Sequence, residues 1–163
     1  LVYYTLRELK GASMKKAWAL IFLIAAAALP SAAQSNQLLD EILEAPAVTY
    51  GQAAYLVLTA VQKLPESSTP AEAAEALAGA GWRLKVRPAD EPITLGDYSF
   101  LLMQAFELSG GMFYSLFPGP RYATRELAYR RLIPGKAYPG KAVTGEEAVR
   151  LLGAVMELKG AGS

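Results

Sequence analysis

The chain has 163 residues, 53% of them hydrophobic and 19% charged, with a formal net charge of +1, no cysteine and no histidine. Without cysteine no disulfide can staple the fold, so it must hold itself by packing. The two absences together exclude Cys/His zinc sites, Ser-His-Asp and Cys-His nucleophile systems and any histidine general base.

Residues 1–13 open on Leu1 and fit no targeting pattern. They are expected to be untranslated upstream sequence or a non-structural segment, because "LKGAS" before Met14 back-translates to a purine-rich run like a bacterial ribosome-binding site. From Met14, "MKKAWALIFLIAAAALPSAAQS" has the three parts of a signal peptide over 14–33: Lys15 and Lys16, an apolar run from Ala17 to Leu29, and a small-residue exit with cleavage expected after Ala33. That run of 13 residues is short of the roughly 20 that span a bilayer as a helix; an uncleaved anchor is the alternative. The protein is therefore expected to be exported, to the periplasm or the cell surface. It should meet a membrane only through the signal segment before cleavage, and nucleic acid is not an expected partner.

Residues 34–163 are enough for one domain with a real core. A leading helix is predicted over about 36–44, stopped by Pro46. Three segments then align without gaps: "VTYGQAAYLVLTAV" from Val48, "ITLGDYSFLLMQAF" from Ile93 and "VTGEEAVRLLGAVM" from Val143, with starts 45 and 50 residues apart. Each has a threonine followed three residues later by a side chain able to reach back: Thr49 with Gln52, Thr94 with Asp97, Thr144 with Glu147. This spacing predicts capping boxes, with Asp97 the shortest version. The apolar positions agree as well, at Ala53, Leu56, Val57, Ala60 and Val61; at Tyr98, Leu101, Leu102, Ala105 and Phe106; and at Ala148, Leu151, Leu152, Val155 and Met156. Such spacing makes one stripe per helix, and the stripes are expected to meet. The first two helices are also apolar on a second side, so they should lie centrally and the third should close one end.

A second helix class lies between them. "STPAEAAEALAGAGW" offers Thr69 as cap, Pro70 at the first position, Glu72 at the third and a stop at Gly79 or Gly81. "YATRELAYRRLIPGK" aligns to it with Glu126 under Glu72 and Gly135 under Gly81. Gly110 and Gly111 are expected to end the second Thr-started helix, and "WRLKVRP" from Trp82 to be a short extended segment. The expected architecture is all-α, with helix-loop-helix repeats forming one compact helical domain: a half-unit at 48–64 and units at 69–108 and 122–158.

This pattern resembles the S-layer homology domain, most closely in "ELAYRRLIPGKAYPGKAVTGEEAVRLLGAV" from Glu126. Leu132, Ile133, Pro134 and Gly135 stand in that family's turn, and Val143, Thr144, Gly145, Glu146 and Glu147 in its Ile-Thr-Arg-Ala-Glu helix start. Tyr50, Leu95 and Gly145 occupy the positions of the family's Arg. The resemblance implies noncovalent attachment to a bacterial cell-wall polymer.

Candidate binding residues cluster in "GGMFYSLFPGPRYATREL" from Gly110. Tyr114, Phe117 and Tyr122 could form a stacking lip, with Arg121, Arg125, Arg130 and Arg131 pairing a carboxylate or phosphate. The opposing expectation is that Phe113, Leu116 and Phe117 cover the open end of the core while the tyrosine hydroxyls reach water. Charge is uneven: residues 34–112 carry 4 basic against 10 acidic side chains and residues 113–163 carry 8 against 4, so −6 is followed by +4. The basic end would attract an anionic partner.

No catalytic residues are expected. Glu146 with Glu147 and Asp90 with Glu91 are sequence neighbours that cannot face each other on a helix, while Glu72, Glu126, Asp97 and Glu147 have structural work at helix starts. Glu72 and Glu75 read as a solvated face rather than a metal site, and no cofactor motif is present. The expected function is a non-catalytic envelope module that binds a wall glycan, peptidoglycan or an anionic wall polymer. The alternatives are a scaffold for another envelope protein and, last, a carboxylate-dependent glycan-cleaving enzyme.

Overall fold

The computed structural model describes residues 29–161, with side chains from residue 36 onward. The segment 1–13 and the expected signal peptide up to residue 28 lie outside the described residues. Within them the chain is all-helical and compact: α1 (Leu29–Glu44), α2 (Tyr50–Ala60), α3 (Pro70–Gly79), α4 (Leu95–Ala105), α5 (Met112–Leu116), α6 (Pro120–Tyr129) and α7 (Gly145–Ala161). None of these helices is long and apolar enough to cross a membrane.

The helix starts follow from threonine chemistry. Gln52 N–H donates to Thr49 Oγ1 at 3.2 Å and Thr49 N–H to Gln52 Oε1 at 3.0 Å, so each side chain satisfies the other's orphan amide. Thr69 with Glu72, and Thr144 with Glu147, close the same box. Thr94 accepts from Asp97 N–H at 3.2 Å, but the Asp97 carboxylate instead accepts from the Thr94 hydroxyl and, at 3.0 Å, from Arg87 Nη2. One methylene fewer than glutamate leaves it to tie down the preceding loop.

The threonine-started helices α2, α4 and α7 each touch the other two. Their stripes meet: Leu56, Leu101 and Leu151 are buried in one cluster with Ile42, Tyr98 and Val155. Each large side chain so buried stabilises the fold by about 1.5 to 3 kcal/mol. The third helix is thus a full member of the central trio rather than a cover at one end. The stripes also stop a turn early, since Val61 and Phe106 are C-caps and Met156 is exposed.

Each central helix carries one outer helix: α3 packs on α2, α6 on α4, and α1 on α7. Backbone links fix these pairs around Val48, Ile93 and Val143. Ile93 N–H donates to Val48 O at 2.9 Å and Val48 N–H to Val143 O at 2.8 Å. The first turns then dock on neighbouring carbonyls, Tyr50 on Glu91, Leu95 on Lys141 and Gly145 on Ala45, at 2.7 to 2.9 Å. The approach at Gly145 is so close that a Cβ there would fall on the Ile42 carbonyl oxygen.

Two local expectations are corrected. α6 starts at Pro120, with Gly119 as an N-cap that makes no side-chain bond, so Glu126 is not at the third position as Glu72 is. Gly110 and Gly111 do not end α4; that helix closes through Glu107 at φ 52°, with Leu108 N–H donating to Met103 O at 3.0 Å, a Schellman turn. The segment from Trp82, expected to be short and extended, forms no helix and pairs with no strand among the described residues, where isolated β-bridges join Thr49 to Pro92 and Thr94 to Ala142.

Candidate functional site

The stretch from Gly110 to Tyr129 is held in place by one ring and one ion pair. Tyr114, in the middle of α5, is buried with its ring edge-on to Phe100 at 6.3 Å, and its hydroxyl accepts from Gln104 Nε2 at 3.3 Å. Burial raises the Tyr114 pKa, against the donation from Gln104, so the phenol stays neutral. Glu126 of α6 accepts from Gly111 N–H and from Arg130 Nε, both at 2.9 Å, and Arg130 also donates to the Ser109 carbonyl. Burial pushes the Glu126 carboxyl up, but the Gly111 and Arg130 donors outweigh it and hold the carboxyl below the ordinary glutamate value.

With Tyr114 turned inward, a five-residue helix must turn the rest of its face out. Met112, Phe113, Leu116 and Phe117 are all exposed. Phe113 lies almost parallel to Tyr122, 8° between planes and 6.3 Å between centroids, and Phe117 leans on the same Tyr122 ring at 6.4 Å. The Arg125 guanidinium sits 6.0 Å from the Phe113 centroid, a cation-π distance. Between α5 and α6, Met112, Phe113, Tyr122 and Arg125, with Tyr129, line a cleft of about 130 Å³.

No family model, curated protein or solved structure matches this chain.

The structure divides the expected binding residues. Phe117, Tyr122 and Arg125 come together at the lip. Tyr114 is buried against Phe100 and Gln104 and reaches the site only as part of the cleft lining. Arg130 is engaged as the strap between Glu126 and Ser109. Arg131 sits at φ 61° in the Schellman turn that ends α6, with Leu132 N–H donating to Leu127 O at 3.0 Å, and does not line the cleft. Arg121 is exposed on the first turn of α6, one helical turn before Arg125. The expectation that Phe113, Leu116 and Phe117 cap the core is overturned, since all three face solvent.

Phe113 and Tyr129 belong to the site and were not singled out as binding residues. Tyr122, Arg125 and Tyr129 stand three and seven positions apart, one face of a helix, which is the signal that could have found Tyr129.

Two other cavities lack this character. A larger groove of about 400 Å³ runs between α1, α2 and α7 past Leu39, Leu56, Val149 and Leu152, and its Tyr55 hydroxyl already donates to Glu66 O at 2.9 Å. A cavity of about 30 Å³ lies under the Lys141–Glu147 pair. The carboxylates with lowered pKa, at Glu72, Glu126 and Glu147, are held ionised by hydrogen bonds, the reverse of what a general acid needs.

Proposed function

We propose that this is a non-catalytic, exported cell-envelope module built of S-layer-homology-like helical repeats, which holds a wall glycan or anionic wall polymer at the lip between α5 and α6. The observation that carries the reading is the near-parallel pair of exposed Phe113 and half-buried Tyr122, with Arg125 beside it. A sugar ring stacks on such a platform, and a guanidinium with no carboxylate partner among the described residues is available to pair an anionic group on the same ligand. The repeat reading draws on the linked residues Val48, Ile93 and Val143; the helices pair as α2–α3, α4–α6 and α7–α1, across the expected units at 69–108 and 122–158 rather than within them.

The family's usual arginine positions cannot serve here. Tyr50 and Leu95 are buried, and Gly145 has no room for a side chain. The lip takes over that task.

The test is sedimentation with purified cell-wall sacculi. The protein should pellet with them, and the double change Arg121→Ala, Arg125→Ala should abolish this while costing within about 0.5 kcal/mol of stability, as surface changes do. Loss of folding in that variant would show the arginines to be structural. A second reading, a scaffold for another envelope protein, draws on the apolar groove between α1, α2 and α7; sacculus-independent co-purification with one protein would favour it.

A further inference from the structure

The ring pair and Arg125 account for one side of the lip and leave α5's outer side without a task. Met112 and Leu116 stand one helical turn apart, 69% and 63% exposed, and Phe117 follows at 63%. Flexible aliphatic chains offer a sugar no stacking face. Contiguous exposed apolar groups instead mark a surface that something apolar covers. The helix cannot roll to bury them, because Tyr114 is fixed on Phe100 and Gln104 and the preceding loop is strapped through Glu126 to Gly111.

The surroundings say what kind of cover fits. Arg121 and Arg125 flank the knob, both exposed, and neither makes a hydrogen bond or ion pair among the described residues. The one acid lining the cleft, Glu126, is already engaged by Gly111 and Arg130. Tyr129, 85% exposed, adds an amphipathic ring at the rim. Apolar tips ringed by unpaired cations and a tyrosine match the layering of a lipid surface: hydrocarbon, then headgroup phosphate, then water.

We infer that α5 is a membrane-docking wedge for an anionic phospholipid leaflet. Met112, Phe113, Leu116 and Phe117 enter the boundary between headgroups and acyl chains, and Arg121 and Arg125 lie at the level of the lipid phosphates. A purely neutral apolar partner would leave both arginines unpaired, which is why the lipid is favoured over a protein groove. The attachment is peripheral and shares Phe113, Phe117, Arg121 and Arg125 with the glycan reading; Leu116, which does not line the cleft, belongs to the wedge alone.

The experiment is flotation of the full-length chain with vesicles of phosphatidylcholine alone and of phosphatidylcholine with phosphatidylglycerol in equal parts. The double variant Met112→Ser, Leu116→Ser serves as the matched control for anything the segment before Leu29 contributes. The expected result is binding to the anionic vesicles that weakens in high salt and falls about tenfold or more in the variant, with thermal melting unchanged. Equal binding by wild type and variant overturns the inference. So does binding to sacculi with none to vesicles, or a concentration-dependent dimer that the serines abolish, which would make the knob a contact between copies.

Discussion

The Tyr98 phenol donates to the Ala148 carbonyl at 2.9 Å, tying α4 to α7 across fifty residues at a point where no water reaches. Burial raises the Tyr98 pKa far above its ordinary value, so the donor keeps its proton at any pH where the domain folds. Tyr98→Phe removes the bond and leaves the ring, and should cost about 1 to 2 kcal/mol in urea unfolding. Leu101→Ala on the same stripe opens a cavity and should cost about 2 to 5 kcal/mol. If the leucine change left the melt untouched, the three stripes would not share a core.

Two glycines of α7 should respond with opposite sign. A methyl on Gly145 would collide with the Ile42 carbonyl, backbone that cannot step aside without undocking α1. A methyl on Gly153, mid-helix, meets nothing within 4 Å. Gly153→Ala should therefore stabilise by about 0.5 to 1 kcal/mol through helix propensity. Gly145→Ala should destabilise by more than that and expose the α1–α7 seam to proteolysis. Chemical denaturation of the two variants side by side checks the contrast.

Glu107 follows the last turn of α4 with φ 52°, a conformation that costs a side-chain-bearing residue about 1 kcal/mol or more. Its negative charge also lies at the helix end where the backbone dipole is negative. Glu107→Gly relieves both and should raise stability by roughly 1 kcal/mol. The same substitution at Arg131, also left-handed at φ 61°, should gain less, because a cation at a helix C-terminus is favourable.

The contrast between what the sequence reveals and what it hides follows interaction range. Thr49 with Gln52, or Thr144 with Glu147, act within three residues, so spacing alone announces the helix and its stripe. The fate of Tyr114 depends on Phe100 and Gln104, ten and more positions away. Five residues are too few for apolar periodicity to say which of Phe113, Tyr114 and Phe117 turns inward. Glu126 misleads for a related reason. Its spacing imitates a cap residue, but Pro120 starts the helix earlier, which frees the carboxylate to reach the amide of Gly111. The lip was legible as a location, and its membership was not.

Acid should loosen that lip before it unfolds the core. Glu126 and Glu147 have folded-state pKa values below the ordinary glutamate value of 4.5. For Glu147 the first cause is the Lys141 hydrogen bond, supported by the Thr144 N–H against the cost of burial. For Glu126, burial acts upward and the Gly111 and Arg130 donors win. A depressed carboxylate contributes stability that is complete above the unfolded value and disappears as pH falls through the folded one. The melting temperature should thus be flat above about pH 5 and decline below about pH 4.5. Glu126→Gln cannot take up a proton there, so it should start less stable at neutral pH and show a shallower acid decline. Arg125→Gln leaves the strap intact and should follow the wild-type curve. An acid decline that is equally steep in Glu126→Gln would mean that the Gly111 strap contributes nothing to the linkage.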